Sequence, residues 1–354
     1  MISKKKIYYW SPHVNSQVAT VKSVLNSALS FRKFSNDEFD VKIINVFGEW
    51  NKYRDLLTQN NIQIEDLYNF KIKLPINGFV KSRLFYIAIS IISIFKIFRI
   101  VKKNSPDFFI AHLIVTPVLF VSRFLKSDTK YILRISGYPI LNNFRSLFWR
   151  FLGKNLFAIT CPTVSTMNRL INRKIFLKKN IFLLNDPIFR MHDFRDLRKK
   201  TISANQKYIL SVGRLTKQKN FSFLIKNFSK ISIQIPDCNL LIIGSGEERE
   251  KLEDLIKKLN MQKRIKIMNY QANIYRFYLN ADLFVLTSLW EDPGFVILEA
   301  AMNNLLILSS DCPNGPREFI KNEFRGFSFK SNDDFPNLTL YTQFNIQIYI
   351  NFMK

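Results

Sequence analysis

The stretch "SLWEDPGFVILEAAMNN", Ser288 to Asn304, decides the reading of this 354-residue chain. It sets Glu291 in a Pro-Gly loop and Glu299 inside a run of Phe, Val, Ile, Leu and Ala. A carboxylate taken out of water is costly unless a polar group pairs with it. The preceding "ADLFVLTS" reads as a buried strand, and a helix is expected to begin near Phe295. Such a helix start presents unpaired N–H groups and a partial positive charge, a seat for an anion such as a diphosphate. The helix is apolar on all sides, which predicts that it is buried and that Glu299 is no solvated surface acid. A buried carboxylate can accept two hydroxyls at once. A structural acid, bonded to backbone or to a neighbouring Arg, is the other reading of the same pattern.

Upstream and downstream, the same grammar repeats. "SVGRLTKQKN" ends a strand at Gly213 and then clusters Arg214, Lys217 and Lys219. Arg offers a planar fork for phosphate oxygens and Lys a mobile point charge; a solvated basic loop has the same look. "IIGSGEEREKL" places Gly244 and Gly246 in a tight turn with exposed N–H groups, ahead of a helix whose first turn is acidic. This is no dinucleotide fingerprint, because the third Gly and the downstream acid are missing. "SSDCPNGPREFI" is a further Gly/Pro loop leading into a helix.

Short β-branched or aromatic runs alternate with helical stretches along the whole chain, which predicts βα units and parallel sheets. In the first half the strands are "KKIYYWS", "FDVKIINVF", "DFFIAHLIV", "KYILRIS", "FAITCPT" and "NIFLLND", with helices over about 17–33, in "KSRLFYIAISIISIFKIFRIVKK" and in "PVLFVSRFL". Phe189 to Gln206 is charged and unpatterned and reads as a linker. The alternation then restarts. Two α/β domains are therefore expected, at 1–195 and 196–354, with ligands beyond the carboxyl ends of the strands.

Composition narrows the partners. Residues 1–200 carry 34 Lys and Arg against 12 Asp and Glu, whereas 201–354 carry 19 against 15. The basic excess lies in the first half and points to an anionic surface, nucleic acid or acidic lipid. Apolar runs such as Leu84 to Phe95 fall short of the roughly 18 residues a membrane span needs, and no signal-peptide core follows "MISKKKIYYW". A cytoplasmic protein is expected. Three Cys and three His are scattered without a zinc pattern, and no Asp-x-Asp clamp occurs, so neither a metal nor another cofactor is expected.

The second half resembles the retaining, nucleotide-sugar-dependent glycosyltransferases of family 4, which have the two-domain GT-B fold. The matching elements are "VGRLTKQKN", "LLIIGSGEEREKLEDLI", "YLNADLFVLTSLWEDPGFVILEAA" and "SSDCPNGPREFI", over about Tyr208 to Ile320. The Glu-x7-Glu pair, Glu291 and Glu299, is the best-known motif of that family. The resemblance implies that Arg214 and Lys219 hold the donor diphosphate, that Glu291 faces the donor sugar and that Glu299 binds the ribose hydroxyls. It further implies that the amides of Gly294 and Phe295 meet phosphate or sugar, with Gly244 and Gly246 nearby. Asn269, Tyr270 and Gln271 would lie against the base.

The first half matches more loosely. "PDFFIAHLIVTP" looks like the family's Pro-Asp strand ending in His, and "YILRISG" like its next strand. His13, Asn15, His112 and Ser136 become the acceptor-side candidates. The implied activity is transfer of a hexose or N-acetylhexosamine from a nucleotide-diphospho-sugar, UDP-sugar foremost, to a saccharide or polyprenyl-linked acceptor in cell-surface polysaccharide or lipopolysaccharide biosynthesis. The basic first half and its "RLFYIAISIISIFKIFRIVKK" helix add the expectation of docking on the cytoplasmic leaflet, with no nucleic-acid partner; a core helix between sheet and surface is the other reading of that segment. A basic nucleic-acid-binding protein and a nucleotide-sugar epimerase of the same fold are the alternatives. After "RGFSFKSNDD" the family continues with helices that "FPNLTLYTQFNIQIYINFMK" does not match, so a truncated tail is expected.

Overall fold

The computed structural model describes residues 4–12, 19–68, 79–135, 137, 139, 141–188, 208–271, 273–320 and 326–329. It divides into two compact units, Met1–Arg190 and Met191–Lys354.

In the first unit the elements run β1 (Lys5–Trp10), α1 (Ala19–Phe34), β2 (Phe39–Asn45), α2 (Arg54–Gln59), β3 (Gln63–Asp66), α3 (Phe79–Asn104), β4 (Phe108–Ala111), α4 (Thr116–Phe124), β5 (Lys130–Arg134), α5 (Asn143–Leu152), β6 (Ala158–Cys161), α6 (Val164–Asn172) and β7 (Ile181–Leu183). The sheet order is β3-β2-β1-β4-β5-β6-β7, with parallel pairing throughout. Alternation along β1 sends Tyr8 and Trp10 to one face and Ile7 and Tyr9 to the other, as a period of two requires. The Tyr8 face packs on Ile97 and Val101 of α3, Val118 and Val121 of α4, and Trp149 and Leu152 of α5. The Tyr9 face packs on Val24 and Ala28 of α1.

The second unit runs β8 (Tyr208–Val212), α7 (Phe221–Ile231), β9 (Asn239–Ile243), α8 (Arg249–Lys258), β10 (Ile265–Met268), α9 (Tyr275–Leu279), β11 (Leu283–Leu286), α10 (Phe295–Met302), β12 (Ile307–Ser310), α11 (Gly315–Phe319) and β13 (Phe327–Phe329). Its order is β10-β9-β8-β11-β12-β13, again parallel. In such doubly wound sheets the chain reverses direction between two central strands, and the loops leaving them diverge to form a crevice. Here those strands are β8 and β11.

Several elements escape the sequence reading. α5 and α6 are capped by Asn142, which accepts from the Arg145 amide, and by Thr163, which accepts from the Thr166 amide. "NFRSLFWRFL" hides its period by placing Phe144 and Leu147 on the exposed side. The short β3 and β13 carry too few residues for a pattern. The strand expected over "DFFIAHLIV" ends at Ala111, and Ile114 adopts a positive φ of 50° that no strand accommodates. The linker and the tail from 330 onward lie outside the described residues.

Candidate active site

The loops that leave β8, β11 and β12 are sewn together at the crevice of the second sheet. The Leu289 amide donates to the Gln218 carbonyl at 2.8 Å, and the Gln218 side-chain amide donates to the Trp290 carbonyl at 2.8 Å. Thr287 donates its hydroxyl to the Lys219 carbonyl at 3.0 Å. From β12, Ser310 donates to the Ser288 carbonyl at 2.6 Å, and the Glu291 amide donates to the Pro313 carbonyl at 2.9 Å. Each bond fixes one loop to another, so the side chains they carry are held in place before any ligand arrives.

At the centre is an ion pair. Lys219 Nζ donates to Glu291 Oε1, and both residues are buried, at 9% and 6% exposure. Ser288 Oγ donates to the same carboxylate oxygen at 2.6 Å. This answers the question raised by Glu291: its burial is offset by an ammonium and a hydroxyl. An ammonium has three N–H donors and the carboxylate occupies one, so Lys219 retains donors for an anion. Arg214 lies exposed on the same β8 loop, its Nη2 at 3.4 Å from Gln218 Oε1.

α10 starts at Gly294, whose φ of +83° belongs to the left-handed region where a side chain is strained. No side chain caps that start, which leaves backbone N–H groups of the first turn for an anion. Phe295, the first helical residue, is partly exposed. The expectation that α10 is buried all round is corrected here. Ile297, Glu299 and Ala300 are buried, while Val296 and Leu298 are partly open, because only one side of the helix faces the sheet.

Glu299 is 8% exposed and accepts a hydrogen bond from the Tyr278 hydroxyl at 3.1 Å on Oε2. Tyr278, in α9, is itself buried; burial and the adjacent Glu299 carboxylate push its phenol well above the ordinary range. It therefore remains a proton donor to Glu299 at any ordinary pH. The sequence reading missed this residue, since "NIYRFYLN" offers two tyrosines, Tyr275 and Tyr278, and nothing local says which one meets the acid.

The other expected site residues fall into three groups. A Cβ on Gly244 would stand 1.8 Å from the Gly213 carbonyl, and one on Gly246 would stand 2.4 Å from that of Leu215. These glycines let the β8 and β9 loops touch, a packing reason that suffices by itself. Asn269, Tyr270 and Gln271 form an open loop after β10, where Asn269 accepts from Arg249 at 2.7 Å and Gln271 from Arg276 at 3.3 Å. In the first unit His112 is 2% exposed at the end of β4, with burial and Arg134 driving its imidazole well below the usual range, to the neutral form. His13, Asn15 and Ser136 lie outside the described residues.

A second buried ion pair, absent from the sequence reading, sits in the first unit. Arg134 at the end of β5 donates to Asp186 Oδ1 at 2.6 and 2.9 Å and to the carbonyls of Leu184 and Asn185. Ser23 of α1 donates to the same Asp186 oxygen at 2.7 Å.

With this geometry established, known proteins can be set beside it. Residues 193–336, within the second unit, match the model of the family described as Glycosyl transferases group 1. An uncharacterized glycosyltransferase of Methanocaldococcus jannaschii is 28% identical over 64% of this chain and 61% of its own length. The N-acetylgalactosamine-N,N'-diacetylbacillosaminyl-diphospho-undecaprenol 4-alpha-N-acetylgalactosaminyltransferase of Campylobacter jejuni is 26% identical over 57% of this chain and 56% of its own. The chain thus spans between half and two thirds of the length of these relatives. Among solved structures, Anabaena HepE in complex with UDP and glucose superposes with a TM-score of 0.68 at 16% identity, covering 97% of this chain and 91% of that one. The fold class is accordingly GT-B: two Rossmann-like, parallel-sheet α/β domains.

Proposed function

We propose that the protein is a retaining glycosyltransferase of family 4, transferring a hexose or N-acetylhexosamine from a UDP-sugar to a saccharide or polyprenyl-linked acceptor. The observation that carries this reading is the buried Lys219–Glu291–Ser288 cluster at the crevice of the second sheet, with buried Glu299 on the helix that follows. A cation with donors to spare, a second cation at the rim and an uncapped helix start all favour a diphosphate. The matched relatives favour glycosyl transfer over nucleic-acid binding or sugar epimerisation.

Each residue then has a task. Arg214, Lys219 and the amides of Gly294 and Phe295 bind the diphosphate and stabilise the charge that builds on it as the sugar departs. These fixed donors take the place of a metal, so chelators leave the rate unchanged. Glu291, held by Lys219 and Ser288, faces the donor sugar. Glu299 accepts the ribose diol, with Tyr278 fixing the orientation of its carboxylate. Asn269, Tyr270 and Gln271 lie against the base, and Gly244 and Gly246 keep the neighbouring loops close. His112 is the acceptor-side candidate, alongside His13, Asn15 and Ser136. We place the reaction at the cytoplasmic face of a membrane, within cell-surface polysaccharide or lipopolysaccharide synthesis.

A thermal-shift screen of UDP-, GDP-, ADP- and dTDP-sugars tests the reading. One nucleotide is expected to raise the melting temperature. Glu299→Ala removes that rise and Arg214→Ala reduces it. If no nucleotide stabilises the protein, or if both variants respond as the unmodified chain does, the assignment falls.

A further inference from the structure

α3, α4 and α5 cover one face of the first sheet side by side. Their inner sides are core, but their outer sides are not the polar surface expected of helices facing water. On α3, Ile87, Ile91 and Phe95 stand at four-residue spacing and are 56–71% exposed. On α4, Phe124 is 55% exposed and packs on Phe120 at 4.6 Å between ring centroids. On α5, Phe144, Leu147 and Phe151 are 47–79% exposed, and Phe151 meets Phe124 at 6.3 Å. The aromatic run therefore crosses from one helix to the next. Single exposed apolar residues are commonplace; rows of them on adjacent helices mark a surface that something covers.

The charge on the same helices identifies the cover. Together they contain nine Lys and Arg and no Asp or Glu. A surface designed for solubility alone intersperses both signs. Arg99, Lys102 and Lys103 lie exposed where α3 ends, and Arg145 and Arg150 lie exposed on α5. Arg123 stacks between the helices, 5.2 Å from the Phe151 ring centre. Long cationic side chains around an apolar face are the pattern of a surface that sinks aromatic rings among acyl chains while its cations meet lipid phosphates. α3 is 26 residues long, yet no helix among the described residues is long and apolar enough to cross a membrane.

We infer that the α3–α4–α5 face of the first unit docks flat on a bilayer rich in anionic glycerophospholipid. This deepens the membrane-side reading above by assigning the surface and its lipid chemistry, and it rests on that reading only for the identity of the acceptor. Both contributions are needed: the apolar rows supply residence in the bilayer, and the cations supply selectivity for negative charge. Removing one cation from such a surface lowers partitioning about fivefold.

Co-sedimentation of the full chain with vesicles tests the inference and involves no nucleotide, so its failure leaves the donor-site reading standing. Vesicles of phosphatidylglycerol in phosphatidylcholine are expected to carry the protein down, pure phosphatidylcholine far less, and raised salt to weaken the binding. Phe144→Ser with Leu147→Ser, and separately Arg99→Glu with Lys103→Glu, each release most of the protein. Both pairs are exposed, so circular dichroism and melting should remain as in the unmodified chain. Three results would overturn the inference. The protein stays in the supernatant with anionic vesicles; it binds neutral and anionic vesicles equally; or the apolar substitutions abolish self-association instead of vesicle binding.

Discussion

The two units each hold a buried ion pair at the carboxyl end of a parallel sheet, and the pairs differ in how many partners brace the cation. Arg134 donates from Nε and Nη2 to Asp186 and two backbone carbonyls, and Asp186 also receives Ser23. Those bonds tie α1, β5 and the chain beyond β7 into one piece. Lys219 gives one donor to Glu291, on a carboxylate shared with Ser288. A cation braced by an acid and two backbone carbonyls is a fastener, whereas an ammonium that holds one acid can still receive a ligand. Burial alone does not separate the two; the partners each cation holds do, three for Arg134 and one for Lys219.

Breaking the fastener should show the largest effect. Asp186→Ala leaves a buried guanidinium without its counter-charge and is expected to cost about 3–5 kcal/mol of stability, read as a lower urea midpoint, with nucleotide affinity per folded molecule unchanged. A loss of nucleotide binding with full stability would reverse the two roles. Lys219→Ala tests the other pair. Transfer should fall roughly 10²–10³-fold, the usual consequence of deleting one donor to the developing charge, measured as kcat on a saturating sugar donor. A variant that is merely less stable, with kcat intact, would make Lys219 a second fastener.

Acidity sharpens the contrast further. In the first unit Glu49 is sheltered from water while it accepts the amides of Val46 and Phe47, and burial raises its carboxyl to about 7. The native state keeps this proton where the unfolded chain has released it. The stabilisation is therefore complete below about pH 4.5 and is lost as pH climbs towards 7, at no more than about 1.4 kcal/mol per pH unit. Glu49→Gln should flatten the stability–pH curve in that window, as followed by urea melts; an unchanged slope would refute it. The smallest effect belongs to Tyr278→Phe. Deleting its hydrogen bond to Glu299 should cost about 1 kcal/mol, read as a several-fold weaker nucleotide response that is not abolished. No change in that response would mean that Tyr278 does not orient the acid.

Much of this was legible before any coordinates. The strand–loop–helix alternation of "ADLFVLTSLWEDPGFVILEAA" yields β11, its loop and α10, because a buried strand reads as a continuous apolar run and Pro-Gly breaks it. The burial of Glu299 follows from its apolar neighbours. What resisted was of two kinds. α5 was missed because Phe144, Leu147 and Phe151 stand among the cations of its outward face, which blurs the helical period. Tyr278 and the Arg134–Asp186 pair were missed because their partners lie elsewhere in the chain, 21 residues away for Tyr278 and Glu299 and 52 for Arg134 and Asp186.

By itself, then, the sequence determined the strand–helix alternation, the parallel α/β architecture and that Glu299 had to leave water, since these depend on local pattern and on the cost of desolvation. Only the tertiary structure decided which cation answers which acid, that the basic excess of the first half shares its helices with exposed aromatic rows, and that the β8 and β11 loops meet. Those are contacts between distant segments, and chain order carries no information about distance in space until the sheet has set the strands side by side.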